Sequence, residues 1–182
     1  MSTAADSTPP VRDFVNELAG LAPHGAVSAL RAARADATGF TQGSYDALFD
    51  PRATGLSLDE RLAAASYAAH LSSAPLAAQA YRERLAAQHS AHRTEALALL
   101  DQLLTSDAFE IDTVTDSGRL AVILAHTRAL ALLDPHPDQA ALLRLKDAKL
   151  STAEIVALSQ LVAFISYQVR VVAALRALEA TA

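Results

Sequence analysis

SLDERLAAASYAAHLSSAPLAAQAYRERL, residues 57–85, decides the fold. Ser57 followed three positions later by Glu60, directly ahead of an apolar run, is a capping box. The serine hydroxyl accepts from a first-turn N–H, and the glutamate carboxylate reaches back to the serine N–H. The helix opened in this way carries Leu62, Ala65, Tyr67, Ala69 and Leu71. Ser72-Ser73-Ala74-Pro75 then interrupts it, because proline lacks a backbone donor and disfavours helix at the residue before it. Helix is expected to resume over residues 75–88.

A second capping box, Ser151-Thr152-Ala153-Glu154, opens the last and longest predicted helix, which runs to Leu178. Sliding the sequence on itself by 94 positions brings the two boxes into register: Ser57 falls on Ser151, Glu60 on Glu154, Ala63 on Ala157, Ala69 on Ala163, Ser72 on Ser166 and Arg82 on Arg176. This predicts two weakly related helical halves. From Ile155 to Leu175 the only charge is Arg170, so the helix is nearly long enough to span a bilayer. Ser159, Gln160, Ser166, Gln168 and Arg170 make it too polar for a lone span, and it reads instead as a core or subunit-interface helix.

The remaining punctuation is helical as well. Phe14, Leu18 and Leu21 recur at helical spacing and are stopped by Gly20 and Pro23. Further helices are expected over 26–37 (ended near Gly39), 40–49, 93–104, 117–133 and 137–146. A polar, acidic surface loop is expected over 105–115, and Asp134-Pro135-His136-Pro137 forms a break. Residues 1–10 read as a short disordered lead-in with no positive n-region or apolar h-region, and residues 11–182 as one helical domain.

Composition agrees with an all-α fold. Alanine and leucine supply about 70 of the 182 residues, against 6 glycines and 7 prolines, and these two head the helix-propensity ranking. Cysteine is absent. That excludes disulfides, iron–sulfur clusters, cysteine-ligated zinc and thiolate nucleophiles. The net charge is -5, with 15 basic and 20 acidic residues and no basic run, so nucleic acid is not expected as a partner. A cytoplasmic protein without a membrane anchor is the expectation.

The segment from Glu60 to Leu85 resembles the core of the carboxymuconolactone decarboxylase and alkylhydroperoxidase D superfamily. Redox members of that family carry a glutamate, a Cys-x-x-Cys pair beginning twelve residues on, and a histidine four residues after the second cysteine. On this chain those positions hold Glu60, Ser72, Pro75 and Gln79. The approach Asp50-Pro51 through Thr54-Gly55-Leu56-Ser57 is similar to that of the larger, peroxidase-related members. Leu150–Val156 leading to Phe164-Ile165-Ser166-Tyr167-Gln168-Val169-Arg170 is similar to their C-terminal helix. The resemblance covers nearly the whole chain and points to a cysteine-less "CMD domain" subgroup with an alkylhydroperoxidase D-like fold.

What the resemblance implies about activity turns on the missing residues. Peroxide reduction in that family passes through a thiolate, a sulfenic acid and a disulfide. Ser72 cannot follow that path, Pro75 supplies no side-chain chemistry, and Gln79 cannot shuttle protons as histidine does. The leading expectation is a redox-inactive member, without cofactor, that binds a small ligand or serves as an accessory to a cysteine-bearing relative. The alternative is a cofactor-free acid–base enzyme of the decarboxylase type acting on a small organic acid or lactone.

Six residues are candidates for such a site. Glu60 is either a general acid or base or simply half of its capping box. His70, ten residues on, is either a proton-transfer group at the pocket mouth or a partly buried structural histidine. Ser72, Gln79 and Tyr167 are candidate ligand contacts. Arg170, aligned with Ser159 and Ser166 as a polar seam, is either an anion anchor or one half of an ion pair with Glu60 or Glu154. The acid–base alternative requires Glu60, His70 and Arg170 to converge on one cavity. His89, His92 and Glu95 are spaced poorly for a metal, and no metal is expected. The family associates through long helices, so a homo-oligomer joined through Leu158, Leu161, Val162, Ile165 and Val169 is expected.

Overall fold

Alanine sets the architecture. The helix opened by Ser57 presents Ala63, Ala64, Ala65, Ala68 and Ala69 around about two-thirds of its circumference, each without exposed surface, and the buried Leu62 and Ser66 fill the remainder. Methyl-sized side chains let neighbouring backbones approach from every side, so this helix becomes the hub. The computed structural model describes residues 12–105, 118–133 and 138–181. Among these the chain is helical without strands: α1 (Phe14–Ala19), α2 (Ala26–Ala32), α3 (Ala35–Leu48), α4 (Leu58–Leu71), α5 (Pro75–Ala86), α6 (Arg93–Thr105), α7 (Gly118–Leu132), α8 (Gln139–Asp147) and α9 (Thr152–Glu179). The expected lead-in, most of the 105–115 loop and the Asp134–Pro137 break lie outside the described residues.

The hub α4 packs against α5, α6, α7 and α9, while α9 also receives α1, α2 and α7, and α8 lies on α7. One contiguous apolar core runs from Phe14 to Leu175. Phe14, Tyr45, Phe49 and Tyr81 join α1, α3 and α5 through ring centroids 4.3–5.7 Å apart. The Arg84 guanidinium lies 5.2 Å from both the Tyr45 and Phe49 centroids. Within the core the Tyr81 hydroxyl donates to Gln168 Oε1 at 2.6 Å, with neither side chain exposed.

Both capping boxes form as expected, with identical distances. The Ser57 N–H donates to Glu60 Oε2 and the Ser151 N–H to Glu154 Oε2, each at 2.7 Å. Each serine hydroxyl accepts from the glutamate N–H at 3.2 Å. The 94-residue register extends upstream: Leu56 and Leu150 are both buried, and Gly55 and Lys149 both have positive φ, +95° and +66°. It also aligns the start of α4 with that of α9 (58 with 152). The two stretches then differ: the chain bends into the α4–α5 hairpin at Pro75, whereas α9 continues as one helix to Glu179.

The hairpin bend is a Schellman closure. Ala74 N donates to Ala69 O and Ser73 N to His70 O, with Ser73 in the left-handed region at φ +56°, where glycine is the usual occupant. Other boundaries moved. The break expected near Gly39 falls instead at Ala33–Arg34, and α3 runs through Gly39 and Gly43, both of which face open space. A helix-interior glycine costs only about 1 kcal/mol and need not end the helix.

The expected oligomer face is corrected by the packing. Leu158, Leu161, Val162, Ile165 and Val169 are 0–7% exposed, taken up by the chain's own core. Length and composition would let α9 cross a membrane, but that face of it packs on α1, α2, α4 and α7. Val156, Tyr167 and Leu178 of α9 remain about half exposed.

Candidate functional site

Arg119 joins the two capping boxes. Its Nε donates to Glu60 Oε1 at 2.7 Å, its Nη2 to Glu154 Oε1 at 2.5 Å, and its Nη1 to the Lys149 carbonyl at 3.2 Å. The glutamate side chains are about one-seventh exposed and the arginine about one-third. Hydrogen bonding from Ser151, reinforced by Arg119, holds the Glu154 carboxyl down at about 2. Partial burial works against the Arg119 charge, but the two carboxylates more than compensate and raise its pKa. Gly55 packs on this clamp: a Cβ there would sit 3.0 Å from Glu154 Cγ. Both Glu60 oxygens are therefore committed, one to its cap and one to Arg119.

The other candidates lie elsewhere. His70 is exposed in the last turn of α4, ten residues from Glu60, which is about 15 Å along the axis. Ser72 caps the same end, its hydroxyl donating to Ala68 O at 2.8 Å. Gln79 is exposed on α5 and donates to Glu83 at 2.9 Å. The expected buried ion pair of Arg170 is corrected: Arg170 is exposed, and the guanidinium that takes Glu60 and Glu154 belongs to Arg119. Ser159 of the expected seam bonds its own helix at Ile155 O. His89, His92 and Glu95 are all exposed, with His92 Nδ1 3.9 Å from Glu95. The convergence of Glu60, His70 and Arg170 is not what the described residues show.

Tyr167 does line a cavity. A cleft of about 240 Å³ opens between α2–α3 and the second half of α9, bordered by Leu30, Arg31, Arg34, Thr41, Tyr167 and Leu175. Thr41 Oγ1 donates to Ala37 O at 2.8 Å and lies 3.2 Å from the Tyr167 hydroxyl. Since the threonine proton is used on Ala37, the phenol is the donor between them. Arg31 gives its Nε and Nη2 to Asp13 Oδ2 at 3.2 and 2.7 Å.

Sequence reasoning missed Arg119, Arg34, Arg61 and the Tyr81–Gln168 pair. Arg61 is 6% exposed and donates to the carbonyls of Leu48, Asp50 and Ser57, tying the end of α3 to the start of α4. For Arg119 a signal was present: a cation in the first turn of a helix with no acid there opposes the helix dipole, so carboxylates must lie nearby. No such mark distinguishes Arg34. No family model, curated protein or solved structure matches the chain.

Proposed function

We propose that this protein is a redox-inactive, alkylhydroperoxidase D-like helical protein whose role is small-ligand binding or accessory rather than catalytic. The observation that carries this reading is the commitment of Glu60. The one residue retained from the family's redox pattern has both carboxylate oxygens engaged, in the cap and on Arg119. The positions where that family keeps its cysteines hold Ser72, bonded to its own helix, and Pro75, the first residue of α5. A glutamate held in this way braces two helix starts and leaves neither carboxylate oxygen free to face a substrate.

The test is a peroxidase assay on the purified full chain, with hydrogen peroxide and an organic hydroperoxide against dithiol donors. No turnover above the protein-free rate is expected. Thiol-dependent turnover that survives repurification would overturn the reading. Native mass spectrometry of the same preparation tests the binding role by detecting any small molecule retained with the chain.

A further inference from the structure

We propose that the cleft between α2–α3 and α9 binds a small amphipathic carboxylic acid, with its anionic head at Arg34 and its apolar body against Leu30, Tyr167 and Leu175. This rests on the ligand-binding reading above and names its ligand class. A cavity of about 240 Å³ lies below the usual range for drug-sized ligands and suits a short chain or a single ring. Its walls are largely apolar. Leu30 stands 64% exposed at the opening and Leu175 closes the floor at 9%, so apolar side chains line the cleft from mouth to base.

Polar recognition is confined to one end. The two Arg31 contacts to Asp13 fix that guanidinium in the wall and neutralise it. The Tyr167 hydroxyl is spent on Thr41, and the Thr41 proton on Ala37, so the phenol ring is fixed as an apolar face. Arg34 is different. It is exposed at the rim and makes no side-chain hydrogen bond or ion pair among the described residues. The acid nearest to it in sequence, Asp36, borders a neighbouring groove that Arg34 also lines but makes no ion pair with it among the described residues, so the guanidinium is open to a ligand carboxylate. One available guanidinium beside an apolar slot selects a molecule with a single anionic group. Neutral or cationic molecules of the same shape lack its partner.

The test is calorimetric titration of the full chain with octanoate, octanol and octylamine, repeated on Arg34→Gln and Leu30→Asp. Both substituted positions are exposed, and circular dichroism verifies the fold. The expected result is saturable octanoate binding at one site, at least tenfold tighter than octanol, with no octylamine binding. Arg34→Gln should weaken octanoate about tenfold and remove its advantage over octanol, and Leu30→Asp should weaken both. Absence of saturable octanoate binding, equal affinity for octanol, or indifference to Arg34→Gln would overturn the proposal. Those failures leave the peroxidase result unchanged, whereas thiol-dependent turnover would remove the redox-inactive reading without touching the cleft.

Discussion

Glu60 and Glu154, 94 residues apart, accept hydrogen bonds from two nitrogens of a single guanidinium, that of Arg119. Each also closes the capping box at the start of its helix. The clamp therefore places one positive charge between two carboxylates and offsets part of the repulsion that brings their helix starts into conflict. Replacing Arg119 with alanine is expected to lower stability by about 1–2 kcal/mol, because exposed ion pairs contribute little but two charge-assisted bonds are lost together. The Glu154 carboxyl is held at about 2, against 4.5 in the unfolded chain. Its stabilisation is therefore complete above pH 4.5 and fades as the pH falls toward 2. Denaturant titrations of wild type and Arg119→Ala from pH 7 to 2.5 test this: the difference between them should shrink below pH 4.5.

Gly55→Ala should cost about 1–3 kcal/mol, since a side chain at φ +95° is strained and its Cβ would press on Glu154 Cγ. Urea midpoints measure it. A companion Lys149→Gly variant, relieving φ +66° at the equivalent position, should be neutral or stabilising.

The Tyr81–Gln168 pair predicts an asymmetry. Tyr81→Phe leaves Gln168 buried without its hydroxyl partner and should destabilise by about 1–3 kcal/mol. Replacing both residues, as Tyr81→Phe with Gln168→Leu, should recover much of that loss, because no polar group is then stranded. The Gln168 amide nitrogen already lacks a partner among the described residues. A double-mutant cycle by chemical denaturation decides the point.

His126 is 6% exposed on α7, and its Nδ1 has no partner among the described residues. Burial, with Arg144 of α8 adding repulsion, lowers its pKa below 6.5. Because the folded value is depressed, stability is full above pH 6.5 and declines as the pH drops from there toward the folded value. His126→Gln should remove that decline between pH 7.5 and 5.5. An unchanged pH profile in the variant would refute the assignment.

Ala68→Leu tests the hub. Ala68 is fully buried among the helices that pack on α4, so three added carbons should cost about 1–3 kcal/mol or more through displaced neighbours. The same substitution at the exposed Ala86 should be nearly silent in thermal melts.

The order of residues alone was enough for most of the helices, the α2–α3 boundary being the exception. Alanine and leucine content, the two serine–glutamate boxes and Pro75 define local structure within a few residues of one another, and local rules suffice to read them. The 94-residue register was legible for the same reason, as was the absence of any thiol at the positions of Ser72 and Pro75. Tertiary packing decided the rest, because burial depends on what arrives from far along the chain. It made α4 rather than α9 the helix enclosed on all sides, since methyl groups admit neighbours where larger side chains keep them away. It gave Glu60 and Glu154 to Arg119 instead of Arg170, because a guanidinium must be within reach of the carboxylates as well as of the right charge. It also set Tyr167 beside Thr41 and Arg34, residues more than a hundred positions away, to form a cleft that no sequence spacing announces.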